Sequence, residues 1–185
     1  KQKTIKAMAW SGSLQSLSQL ANLLLGIILA RLLTPNDFGL LAMILVFVSF
    51  ADILTNFGLS SALIQKKDLS QKHYVSSFWF NVIIGLILTL LLYFGSESIA
   101  QFYNSPKVEN ISKWLSMVFI AGAISAVPRA MLSKSLDHKK IASIEFLASL
   151  ISGIVAVICA IQGLSYWSLV VLCLTRHWFR AIALY

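Results

Sequence analysis

The chain has 185 residues, 58% of them hydrophobic, with a mean hydropathy of +0.80 and a formal net charge of +8. Its apolar residues come in blocks long enough to cross a bilayer, at about 20 residues per helix, and a soluble chain of this length has room to bury one ordinary core but not five or six such blocks. The composition therefore excludes a soluble domain and predicts an all-α, polytopic membrane helix bundle with lipid as its solvent.

Apolar runs predict spans at 10–33, 40–64, 74–95, 114–132, 141–162 and 166–185. Basic residues then fall between them in alternation. Lys1, Lys3 and Lys6 precede the first span, Lys66, Lys67 and Lys72 follow the second, Arg129, Lys134, Lys139 and Lys140 accompany the end of the fourth, and Arg176 and Arg180 sit late in the sixth. The other side holds Arg31, Lys107 and Lys113, so 12 of the 15 basic residues share one side. The positive-inside rule places that side, and the N-terminus, in the cytoplasm. The basic excess is thus a topology signal, and no basic stripe with interleaved aromatics on a soluble face points to nucleic acid.

Three lysines before an apolar stretch imitate a signal peptide. Ser11, Ser13, Gln15, Ser16, Ser18 and Gln19 interrupt the stretch, and it ends in Ala30-Arg31-Leu32 without a small-residue cleavage pattern. It is expected to stay attached. Because the chain starts at Lys1 and stops inside an apolar span, both ends are expected to be trimmed and the chain to be a fragment.

Between spans one and two, Thr34-Pro35-Asn36-Asp37-Phe38-Gly39 predicts a tight external hairpin with Thr34 or Asn36 capping the next helix. The longest connection is expected at 95–113, with a short interfacial helix at 97–103. Trp10, Trp79, Trp114, Trp167 and Trp178 mostly fall near span ends, where an interfacial belt explains them without a ligand. Cys159 and Cys173 lack metal-ligand spacing and are expected to pack.

Polar residues inside the spans carry the functional signal. In span one, Gln15, Gln19 and Asn22 are spaced i, i+4, i+7 with Ser11 and Ser18 on the same side; in span two, Ser49, Asp52 and Asn56 recur with Thr55 beside them. Span five has Glu145, Ser149 and Ser152, and span six has Arg176, His177 and Arg180, whereas Asn81 and Ser125 are isolated. Single Ser, Asn or Gln residues are commonly glue between helices. A charge in hydrocarbon costs at least about 2.5–3.5 kcal/mol and usually faces a cavity, which singles out Asp52 and Arg176. Glu145 and Arg129 lie nearer the cytoplasmic end, where snorkelling or loop charge competes with function. Arg31, near the external interface, is placed either to pair with Asp37 or to cap a cavity. His177, beside two arginines, is expected to be packed or interfacial. No phosphate loop, nucleophile elbow, CxxC pair or His/Glu metal spacing is present, so an enzyme is not expected.

Four ordered blocks carry a family resemblance: ARLLTPNDFGLLA at 30–42, FGLSSALIQKKD at 57–68, AVPRA at 126–130 leading to IASIE at 141–145, and GLSYWSLV at 163–170. Together they resemble the start of the bacterial polysaccharide-transporter flippases, in the superfamily that also holds multidrug and toxin extruders and the peptidoglycan lipid flippase. The resemblance covers essentially the whole chain. It implies that residues 1–185 form the N-terminal, six-helix lobe of a two-lobed bundle whose central cavity opens alternately to each membrane face. The implied substrate is an undecaprenyl-pyrophosphate-linked oligosaccharide, moved across the inner membrane for lipopolysaccharide or exopolysaccharide assembly, with polysaccharide polymerase machinery as a candidate partner. It fixes no individual site residue.

Such a substrate needs a hydrated, partly cationic cleft while its prenyl tail stays in lipid. On this expectation Gln15, Gln19, Asn22, Ser49, Asn56, Ser149 and Ser152 line the cleft, with Arg31 at its rim. Arg176 and Arg180 hold phosphate oxygens, and Asp52 or Glu145 pairs with them or binds a coupling proton or sodium ion. Three rivals are a multidrug cation antiporter of the same fold, a non-transporting scaffold of a glycan assembly complex, and, weakest, a channel. A water-accessible cleft between spans one, two and five favours transport; closed polar zippers favour the scaffold.

Overall fold

In hydrocarbon every backbone N–H and C=O needs an internal partner, so each apolar run has to become helix. The structure, a computed structural model, describes residues 2–56, 71–135 and 137–185, with side chains for 16–49, 73–135, 137 and 139–185. Among these residues there is no strand, and the helices are α1 (Gln2–Leu32), α2 (Pro35–Asn56), α3 (Gln71–Phe102), α4 (Pro106–Leu115), α5 (Met117–Lys134), α6 (His138–Ile161) and α7 (Trp167–Ala183). The chain is a helical membrane bundle. Large apolar side chains point outward, among them Leu20, Leu23 and Leu24 on α1, Ile83, Leu91 and Phe94 on α3, and Ile154 and Ile158 on α6. Only lipid or further protein solvates such surfaces.

Helix α1 packs chiefly on α6, α6 on α7, α7 on α5 and α5 on α3, while α2 lies against α4 and α5. Short connections at 33–34, 103–105 and 162–166 gather at one end, and the 135–137 connection lies at the other. The hydrophobic core favours the first end: Leu40, Ile44 and Val48 of α2 meet Leu92 and Ala100 of α3, Val108, Ile111 and Leu115 of α4, Val118 and Phe119 of α5, and Val170 of α7. A second cluster joins Leu29 and Leu33 to Ala156, Ala160 and Leu169.

Small residues set the closest approaches. A Cβ at Gly85 of α3 would lie 2.5 Å from Ala123 Cβ and 2.9 Å from the Phe119 carbonyl oxygen of α5. One turn further along α3, the Thr89 hydroxyl lies 2.8 Å from the Gly85 carbonyl and 3.0 Å from that of Ser116, where α4 gives way to α5.

The stretch expected to be a long connection is mostly helical. Helix α3 does not stop near Gly95; one glycine costs a helix only about 1 kcal/mol, and the Ser96 hydroxyl folds back to donate to the Tyr93 carbonyl at 2.7 Å. The stop comes at Asn104, with φ +50°, where the amides of Asn104 and Ser105 donate to the carbonyls of Gln101 and Ala100 in a Schellman closure. Residues 97–102 therefore end α3 rather than forming a separate interfacial helix, and the short helix is α4. At about 1.5 Å per residue, the 32 residues of α3 reach about 48 Å, beyond the ~30 Å hydrocarbon layer. Gly163, at φ +80°, closes α6 in the same way, with Leu164 donating to Cys159 and Gly163 to Ala160.

At the connection-rich end a clasp joins segments 128 residues apart. Thr34 is the cap of α2: its amide and hydroxyl donate to Asp37 Oδ2 at 2.9 and 2.7 Å, a capping-box arrangement. Asp37 Oδ1 accepts from the Ser165 hydroxyl at 2.5 Å. Asp37, only 4% exposed, is thus bonded to Thr34 and Ser165 rather than to Arg31. Burial pushes its carboxyl up, but hydrogen bonds from Ser165, Thr34 and the backbone amides outweigh this and hold it below the ordinary 3.8. A depressed carboxylate stabilises above its unfolded value and loses that contribution as pH falls through its folded value. Asp37→Ala is expected to cost about 1–2 kcal/mol. Thermal unfolding in detergent should show the full gap from wild type at neutral pH and a narrower one below pH 3.8.

Candidate functional site

Glu145 lies two turns into α6, facing two cations from different helices. Its Oε2 is 2.7 Å from an Arg180 guanidinium nitrogen of α7, and its Oε1 is 3.5 Å from Arg129 of α5. The two contacts differ in weight. The Arg129 side chain is 56% exposed and that pair is long, whereas the Arg180 side chain is 22% exposed and its contact short, so the second is the stronger. Charge on a single carboxylate therefore ties three helices.

The ions border a cleft of about 130 Å³ between α5, α6 and α7, lined also by Phe119, Gly122, Ser125 and His177. It sits toward the 135–137 end, away from the main apolar core. Three local features shape it. Pro128 within α5 has no N–H to give the turn before it, freeing the Ile124 carbonyl from its helical bond. The Ser125 hydroxyl donates back to the Gly122 carbonyl at 2.9 Å. On α7, His177 Nδ1 lies 2.8 Å from the Cys173 carbonyl; a carbonyl only accepts, so Nδ1 carries a proton. Arg180 retains donor capacity, since its Nε is buried without a hydrogen-bond partner among the described residues, as is that of Arg176.

The candidate residues divide into groups. Glu145 and Arg180 come together at the cleft, with Arg176 one turn earlier on α7. Asn22 and Ser149 also meet, but as a helix contact: the Ser149 hydroxyl donates to Asn22 Oδ1 at 2.5 Å, and buried Ser152 donates to the Ser149 carbonyl. Gly153, one turn on from Ser149, lies so close to Leu25 that an added Cβ would run into that side chain. These two serines are therefore part of the α1–α6 seam and do not line the cleft between α5, α6 and α7. Gln19, Arg31 and Ser49 are exposed on α1 and α2 and are not among that cleft's lining residues. The side chains of Gln15, Asp52 and Asn56 lie outside the described residues.

The described cleft is thus built from the fourth, fifth and sixth predicted spans rather than the first, second and fifth. Arg129, His177 and Ser125, discounted individually, complete it. Depth is the signal that links them: Arg129, Glu145 and Arg180 each lie within about two turns of the same end of consecutive antiparallel spans.

Fold and site together define a multi-pass helical membrane protein, packed at one end and carrying an arginine-lined cleft toward the other. Sequence comparison makes this specific. The chain belongs to the polysaccharide biosynthesis protein family, which it matches over residues 28–185. It is 28% identical over 169 residues to the lipopolysaccharide biosynthesis protein WzxC of Escherichia coli K12, covering 91% of this chain and 34% of that protein. An uncharacterized membrane protein in the cps region of Klebsiella pneumoniae is 31% identical over 176 residues, 88% of this chain and 36% of that one. The succinoglycan biosynthesis transport protein ExoT of Rhizobium meliloti is 28% identical over 142 residues, 77% of this chain and 29% of ExoT. The chain spans about a third of the length of these curated relatives. No solved structure matches it.

Proposed function

We propose that the chain is part of a transporter that moves undecaprenyl-pyrophosphate-linked oligosaccharide repeat units across the bacterial inner membrane for surface polysaccharide synthesis. The observation that carries this reading is the arginine-lined cleft in a member of the polysaccharide biosynthesis family. The N-terminus lies in the cytoplasm, by the 12 to 3 division of basic residues. The cleft then opens toward the leaflet on which lipid-linked sugars are assembled. Arg180 and Arg129 receive phosphate oxygens through their planar donor forks, while the prenyl chain remains along the apolar outer faces. Movement between leaflets requires two states of different affinity, and a proton or sodium ion bound at a carboxylate is the proposed bias between them. The activity is translocation rather than bond chemistry.

Two guanidiniums against one carboxylate make the cleft an unfavourable site for an organic cation, which weighs against a multidrug cation antiporter. The closed Asn22–Ser149 contact is what a scaffold of a glycan assembly complex would display, and one experiment separates the two. The full-length protein is expressed in cells lacking their own polysaccharide flippase, and surface polymer and leaflet-resolved lipid intermediate are scored. Restored polymer with a cleared cytoplasmic-leaflet intermediate supports translocation. Intermediate retained inside, with correctly inserted protein and a matching repeat unit, supports the scaffold.

A further inference from the structure

We infer that Glu145 is a built-in counter-anion, occupying in the empty cleft the arginine donors that the substrate's diphosphate takes when bound. The inference rests on the transport reading above and assigns one residue a competitive role within it. Three observations meet at this carboxylate. Its two oxygens engage arginines from two different helices, at 2.7 Å for Arg180 and 3.5 Å for Arg129, the divergent arrangement that two phosphate oxygens also present. It borders a cleft of about 130 Å³ rather than filling it, so a small polyatomic anion has space to approach the same donors. Arg180 also has a buried Nε without a partner among the described residues, a donor that the Glu145 contact leaves open to a ligand richer in oxygens.

Two opposing needs explain the arrangement. The mostly buried Arg180 guanidinium needs a negative partner when no substrate is present, because an unpaired buried charge is strongly destabilising. A site made of arginines alone would also hold a diphosphate too firmly to release it. An internal carboxylate meets both needs: it neutralises part of the charge while the cleft is empty, and returns to the arginines as the diphosphate leaves. Glu145 is therefore a positioning residue that lowers substrate affinity in exchange for release.

The test uses the purified full-length protein in vesicles, with inorganic pyrophosphate and a short-chain prenyl diphosphate as probes. Glu145→Gln is expected to bind the probes roughly tenfold tighter than wild type, the worth of one charge-assisted contact no longer competed for, and to export polymer more slowly. Arg180→Gln is expected to bind roughly tenfold more weakly. Glu145→Asp keeps the charge but withdraws it by one methylene, and tightens binding by a smaller factor; it decides the matter if Glu145→Gln does not fold. The expected pattern with both probes assigns the site to the diphosphate itself, and with the prenyl probe alone to a lipid-borne diphosphate. Weaker binding in Arg180→Gln with no tightening in either Glu145 variant overturns the counter-anion role and leaves the transport reading standing. No response to any variant, or no binding of either probe, overturns the cleft as a diphosphate site as well.

Discussion

Arg180→Ala in the full-length protein is expected to reduce surface polymer at least tenfold, and to lower the amount of folded protein. Arg180 provides the short contact to Glu145, and without it the carboxylate keeps, among the described residues, only Arg129, at 3.5 Å and from a largely exposed side chain. Breaking a buried pair from one side typically costs about 3–5 kcal/mol; the partial exposure of both partners places the expected loss at or below the lower end of that range. The double variant Glu145→Gln/Arg180→Gln removes the stranded charge, so it should recover much of the folded yield without recovering export. Arg180→Lys is expected to give intermediate export, because an ammonium keeps the charge but not the planar fork. Polymer output is scored per folded protein. Normal output from Arg180→Ala would remove this arginine from the transport path.

The second large effect concerns packing alone. Gly85→Val is expected to destabilise the bundle by about 1–3 kcal/mol or more, because even the first added carbon meets Ala123 Cβ at 2.5 Å and the Phe119 carbonyl at 2.9 Å. A backbone oxygen cannot swing aside as a side chain does, so α3 and α5 must separate. Separation also pulls Thr89 from the Ser116 carbonyl where α4 meets α5. In a detergent melt, Gly85→Ala should fall between wild type and Gly85→Val. Adding Ala123→Gly should restore part of the loss, since it relieves the Cβ contact and leaves the carbonyl one. Equal stability of all four proteins would contradict the close approach.

Much of the fold was legible because lipid simplifies the rules: long apolar runs had to become helices, and Pro35 and Gly163 marked their interruptions, whereas Gly39 lies inside α2. The hidden element was α4. Its Lys107, Glu109, Asn110 and Lys113 imitate a linker, yet Val108, Ile111 and Leu115 recur at helical spacing and are fully buried. Composition outweighed periodicity there. Within the site, Glu145 and Arg180 stood out as charges in apolar helices, but which face each presented depended on how the helices rotate against one another. Arg129 looked like loop charge for the same reason. The Asn22 and Ser149 stripes were read for polarity, whereas the adjoining Gly153 held the other half of the signal, namely that two helices approach closely enough for the stripes to meet.

The Asp37–Ser165 clasp also sets an order for biogenesis. A chain threaded into the membrane from its N-terminus presents the first hairpin long before residue 165 has left the ribosome, so that hairpin must wait, incompletely bonded, for its partner. Helix α1 waits as well, because its main contact is α6. Assembly is thus non-sequential, and the earliest segments complete their bonding among the last. Closure of the clasp reports that the fifth span has been inserted in its correct orientation, because an inverted α6 would leave Ser165 on the opposite side of the bilayer from Asp37.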